Sequence, residues 1–280
     1  MFVKLLKECG KKKNLSEGMR LHDVILEKSL LEKSPYIGNT LIRMYAKCGV
    51  LPKARAVFDM LSVRDVISWN TLIAVYANSD QCEEALNCYE KMQREGLIPD
   101  AVTFICVLKA CGSVGAVGNG KQIHNQIISM GLIEKDIVLG TALVDMYAKC
   151  GMLVKAEQVI EQLPIRNVIS WSSLIAGYAQ QGQGHQAVNC YEWMQSEGLC
   201  PNVVTFICIL KACGSTGAID KGKQIHEIIK QKNNNLWKQQ ILREIIIFTI
   251  PSDYTFLNNC GYGLIQGDPF RSKRMVFLIS

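Results

Sequence analysis

The chain has no long apolar run. Its longest aliphatic stretch, Ile245-Ile246-Ile247-Phe248 with Ile250 beyond, falls well short of the roughly 20 residues that cross a bilayer, so no membrane span is expected. Paired metal-ligand cysteines are missing too. No CxxC occurs among the 12 cysteines, and the wider pair Cys106 and Cys111 returns as Cys208 and Cys213, as packing positions would. Histidine is scarce, at four. His226-Glu227 opens a string like the zinc-protease HExxH, but Lys230 stands where the second histidine is needed. With no nucleophile, base or metal constellation, no catalytic residue is assigned. No metal, cofactor or small-molecule substrate is expected.

What is present is enough apolar material to fold: 49% of the 280 residues are hydrophobic and 20% charged. The net charge of +6 permits a polyanionic partner without naming one. At the N-terminus, MFVKLLKECGKKK has too short an apolar run, with its lysines after the run, to be a targeting leader. It reads as folded structure. Without a secretory leader, the cysteines read as reduced thiols packed as small apolar residues.

An internal repeat organises the chain. Cys9-Gly10, Cys111-Gly112 and Cys213-Gly214 are spaced by 102 residues, as are His22, His124 and His226. Met44-Tyr45-Ala46-Lys47-Cys48-Gly49 returns at 146–151, and Val66-Ile67-Ser68-Trp69 at 168–171. Each period divides into helical hairpins: 35–65, 66–100 and 101–136, then 137–167, 168–202 and 203–230, with an incomplete unit at 1–34. In 66–100, Ser68 is expected to cap a helix whose stripe is Leu72, Ile73 and Tyr76. A polar break at Asn78-Ser79-Asp80 precedes a second stripe of Ala85, Leu86, Tyr89 and Met92, stopped by Gly96 and Pro99. Two such short helices cannot bury their apolar faces alone. The expected fold is therefore all-α: a right-handed superhelical solenoid of antiparallel helix pairs.

These residues carry a family resemblance. VISWNTLIAVYA with EEALNCYEKMQREGLIPD resembles the pentatricopeptide repeat, and the VTFICVLKACGSVGAV…GKQIH and MYAKCGMLVKAEQVIEQLP stretches resemble its long and short variants. The short, standard, long order is that of the plant PLS subclass, and the resemblance covers about residues 2–230.

The resemblance implies binding of single-stranded RNA, one base per repeat, read by the fifth and last residues of each hairpin. Here these are Asn39 with Asp65, Asn70 with Asp100, Thr141 with Asn167, and Ser172 with Asn202. In the family the first two pairs favour uracil and the last two adenine. Ile105 and Ile207 occupy the fifth position of the long units and cannot hydrogen-bond, so the implied core is 5′-UUNAA. Tyr36, Ile67, Val102, Val138, Ile169 and Val204 would clamp the bases. A plainer reading stands beside this one: Asp100 and Asn202 sit in turns, where such residues bond locally, and Thr141 and Ser172 serve as ordinary early-helix residues.

The resemblance also implies a mitochondrial or chloroplast site of action, although the chain carries no transit peptide. Subclass members commonly end in a zinc deaminase-like domain that needs H-x-E with CxxC, which has no match here. Editing or processing factors would then be partners acting in trans. Residues 231–280 depart from the pattern and Phe2 aligns with Phe104, so both ends read as truncated, a divergent cap being the alternative for the tail. A tetratricopeptide-like protein-interaction scaffold is the rival function class. Against it stand the 31, 35 and 36 residue cycle and the turn prolines. An inactive truncated fragment, with too few repeats to bind RNA well, is the third reading.

Overall fold

A computed structural model describes residues 1–231 as two compact units, Met1–Cys150 and a second beginning at Gly151. The described residues are all-α, without a strand. The first unit runs α1 (Phe2–Lys12), α2 (Leu15–Glu27), a single turn α3 (Leu30–Lys33), α4 (Pro35–Lys47), α5 (Leu51–Asp59), α6 (Val66–Ala77), α7 (Cys82–Arg94), α8 (Ala101–Val114), α9 (Val117–Ser129) and α10 (Ile137–Lys149). The second holds α11 (Leu153–Gln162), α12 (Val168–Gln180), α13 (Gly184–Ser196), α14 (Val203–Thr216) and α15 (Ile219–Gln231). The aliphatic run at Ile245–Ile250 and the rest of the tail beyond 231 lie outside the described residues. No described helix is long and apolar enough to cross a membrane.

Two kinds of helix alternate, and burial explains the difference. In the first unit α1, α4, α6, α8 and α10 pack one on the next, and in the second α12 packs on α14. Apart from α1, which buries only Leu6, Cys9 and Gly10, such helices are enclosed nearly all round: α6 buries Trp69, Asn70, Thr71, Leu72, Ile73, Val75 and Tyr76. Their partners flank this layer and bury one stripe, as α7 does with Cys82, Ala85, Cys88, Tyr89 and Met92. Gly96, at φ 77°, closes α7 with a left-handed residue, and Leu97 N–H returns to the Met92 carbonyl at 3.3 Å.

Motifs far apart in sequence meet here. A Cβ on Gly18 would lie 2.5 Å from Met44 Sδ, and one on Gly120 2.5 Å from Met146 Sδ. The glycine of Gly-Lys-Gln-Ile-His is thus the notch that admits the methionine of Met-Tyr-Ala-Lys-Cys-Gly. In the same pair of helices His22 Nδ1 lies 2.9 Å from the Tyr45 hydroxyl, and His124 Nδ1 lies 3.0 Å from that of Tyr147.

Three expectations change. Ser68 is not the cap of α6: Asp65 is, accepting from Ser68 N–H and from its hydroxyl, both at 2.8 Å, while Ser68 is buried in the first turn. The helix starts earlier because a carboxylate with extended backbone reaches the free N–H groups better than a residue already helical. Most described cysteines are packed thiols, and burial pushes Cys88 up to about 11 and Cys111 and Cys190 up to about 12, but Cys200 is exposed. It precedes Pro201 after the end of α13, where no helix covers it. Finally, α3 has no signal in the repeat pattern.

Candidate nucleic-acid interface

From α4 onward, each enclosed helix exposes an apolar side chain at its second residue, and α10 exposes Ile137 beside it. Tyr36, Ile67, Val102 and Val138 in the first unit, and Ile169 and Val204 in the second, are 52–61% exposed. These are the six residues expected to clamp bases. Within each unit these apolar residues share one register, four in the first and two in the second.

The expected base-reading residues divide into two structural kinds. The last residues of the hairpins, Asp65, Asp100, Asn167 and Asn202, are all N-caps, of α6, α8, α12 and α14. Asp100 and Asn202 accept the N–H of Thr103 at 2.8 Å and of Thr205 at 2.9 Å. Asn167 accepts those of Ile169 and Ser170. The local bonding that turn chemistry suggests is therefore real, and it holds these polar groups at the helix entrance. The fifth residues, Asn39, Asn70, Thr141 and Ser172, are only 4–7% exposed.

The two kinds meet directly in 66–100. Asn70 Nδ2 donates to Asp100 Oδ1 at 2.9 Å, and Thr103 Oγ1 lies 2.6 Å from Asn70 Oδ1. In 168–202 the link is indirect: Ser172 Oγ lies 2.6 Å from Thr205 Oγ1, which donates to Asn202 Oδ1 at 3.0 Å. Ser172 Oγ is also 2.6 Å from the Val168 carbonyl, and Thr141 donates to the Ile137 carbonyl at 2.8 Å. Thr141 and Asn167 belong to different units. Asn39 stands apart, for its buried Oδ1 accepts no hydrogen bond.

Thr103 and Thr205 were absent from the sequence-based site. Their signal was present: each stands three residues after a capping Asp or Asn, the spacing of a reciprocal capping box. Also missed was a pocket of about 360 Å³ at the N-terminal end, where Tyr36, Asn39 and Ile67 are joined by Lys7, Lys11, Arg43 and Lys47. Repeat logic could not find it, because two of those cations lack a basic counterpart one period later.

Stacked antiparallel helix pairs that repeat an exposed apolar residue beside a capped polar one define a helical-repeat protein. The PPR repeat family model matches residues 64–113 and 166–215, and the PPR repeat model 39–66 and 141–168, together more than half of the chain. The chain belongs to the pentatricopeptide repeat family. A chloroplastic pentatricopeptide repeat-containing protein of Arabidopsis thaliana is 38% identical over 229 residues, 82% of this chain and 37% of that protein. A mitochondrial one from the same plant is 37% identical over 218 residues, 78% of this chain and 39% of that protein. The chain thus spans well under half the length of these relatives. Among solved structures, the crystal structure of maize PPR10 matches with TM-score 0.68 at 20% identity, covering 88% of this chain and 36% of PPR10. PPR10 in complex with an 18-nt psaJ RNA element matches with TM-score 0.66 at 17% identity, covering 87% of this chain and 35% of that one. These two likenesses concern the fold.

Proposed function

We propose that the chain binds single-stranded RNA sequence-selectively through the clamp row and the capped polar residues, acting in organellar RNA metabolism with any catalysis supplied in trans. The observation that carries this reading is the pairing of exposed apolar residues with short polar side chains at one register. A base has two needs, a surface for its flat faces and directional partners for its edge. The row offers both: Tyr36, Ile67 and their equivalents for the faces, Asn70 with Asp100 and Ser172 with Asn202 for the edges. Asn39 with Asp65 and Thr141 with Asn167 complete four readers, and the preferred core is 5′-UUNAA. A likeness in fold to PPR10, whose structure holds RNA, supports the same reading. So do the chloroplastic and mitochondrial relatives, as regards compartment.

Titration of the full chain against labelled oligoribonucleotides tests it. An RNA carrying UUNAA should bind more tightly than one of equal composition with the core scrambled. Equal affinities, or no binding of either, would sink base reading.

A further inference from the structure

The two periods can be compared place by place within the first compact unit. In the first, α1 supplies Lys7 and Lys11 and α4 supplies Arg43 and Lys47 to the pocket, against one carboxylate, Glu8, for a net charge of +3. One period later these places are held by Lys109, Ser113, Asp145, Lys149 and, for Glu8, Ala110, a net charge of +1. The second set is also partly self-neutralised. Lys149 Nζ lies 2.7 Å from Asp145 Oδ2, and Lys109 donates to Asn78.

Two further features of the first pocket point to a ligand. Lys7 Nζ lies 3.4 Å from the Tyr36 hydroxyl and 6.0 Å from its ring centroid, so a cation stands over a clamp residue that is 57% exposed. Asn39, only 5% exposed, lines the same pocket with an Oδ1 that accepts no bond. A buried orphan acceptor costs stability unless a donor arrives from outside. A nucleotide brings both missing partners, an N–H donor on its base and an anionic phosphodiester.

We propose that the pocket between α1 and α4 is a phosphate anchor, Lys7, Lys11, Arg43 and Lys47 gripping the RNA backbone there more strongly than the equivalent place between α8 and α10. The proposal rests on the RNA-binding reading but not on base selectivity. Lys7 and Lys11 belong to a hairpin with no base reader, so this anchor fixes position on the strand while the capped pairs select sequence.

The test is the salt dependence of affinity for the full chain and a labelled oligoribonucleotide carrying UUNAA. Each lost phosphate contact flattens the slope of log K against log salt by about 0.7 for a single strand. Lys7→Gln with Lys11→Gln should flatten it by about 1.4, so the wild type's loss of affinity between 50 and 200 mM salt exceeds the variant's by about sevenfold. Lys109→Gln should change the slope by less than one contact, and Asp145→Asn, which frees Lys149, should steepen it. Both lysine sites are exposed and Gln is a good helix former, and circular dichroism verifies that the variants fold. An unchanged slope in the Lys7/Lys11 variant, or equal flattening by Lys109→Gln, overturns the anchor. A second readout separates the two claims. If the slope differences hold while UUNAA and its scramble bind equally, base reading fails and the anchor stands; if no RNA binds, both fall.

Discussion

Exchanging Asn70→Ser together with Asp100→Asn converts the polar pair of 66–100 into that of 168–202, and the protein already shows that the product can fold. Asn202 caps α14 by accepting Thr205 N–H at 2.9 Å, against 2.8 Å for Asp100 and Thr103. Asn and Asp cap equally well, so the Asp100→Asn change should leave α8 in place. Ser172, the model for the other change, fits beside Thr205 Oγ1 at 2.6 Å. The exchange removes the Asn70–Asp100 bond, about 1 kcal/mol, and passes the Thr103 hydroxyl contact from Asn70 Oδ1 to the new serine, as Ser172 makes it with Thr205. Recognition should change more. Losing one bond to uracil and gaining one to adenine swings the ratio of affinities by about 2 kcal/mol, roughly thirtyfold. The assay is equilibrium binding to RNAs that differ at one base, beside urea denaturation of both proteins. An unchanged U-to-A ratio in a folded variant would refute base reading by this pair. Asp100→Ala is a poor substitute test, because it also costs about 1 kcal/mol of capping.

Other consequences can be measured independently of RNA. Gly120→Ala gains about 1 kcal/mol of helix propensity but drives a Cβ to within 2.5 Å of Met146 Sδ, so that the fully buried methionine end must move within a packed core, a strain of about 1–3 kcal/mol. It should destabilise the native chain in urea and stabilise the Met146→Ala background; the same sign in both would deny the tight contact. Burial holds the His22 imidazole below its ordinary 6.5, with Lys53 adding to the effect and Asp23 opposing it. The unfolded chain therefore takes up this proton first, and the His22 contribution to stability is full above pH 6.5 and declines as pH falls beneath it. His22→Gln should flatten that acid-side decline, and parallel curves for the two proteins would contradict it. At neutral pH, peptide mapping after iodoacetamide treatment should find Cys200 alkylated well before the buried Cys88, Cys111 and Cys190. Rapid labelling of Cys111 in the folded chain would contradict its packing.

The helix pairs were legible because a 102-residue offset repeats landmarks whose spacing matches a helical face. Legible too was the exposed apolar register, since six apolar residues recur just after a turn. The start of α6 was misplaced by three residues because Asp65 and Ser68 are both good caps, and sequence does not say which backbone is extended. Thr103 was overlooked for a related reason. As a residue in the first turn it looks like helix, and only packing of α6 on α8 brings it to Asn70.

The sequence by itself determined the repeat, the alternation of long and short hairpins and which residues stand at each register, because periodic burial leaves a periodic trace. The tertiary structure decided which registers meet. It set Asn70 against Asp100, docked Met146 into the Gly120 notch and gathered four cations from α1 and α4 around an unsatisfied Asn39. The repeat conceals that last cluster, because charge on an exposed helix face is not constrained by packing and varies between periods. Only stacking one helix on the next turns those separate charges into a site.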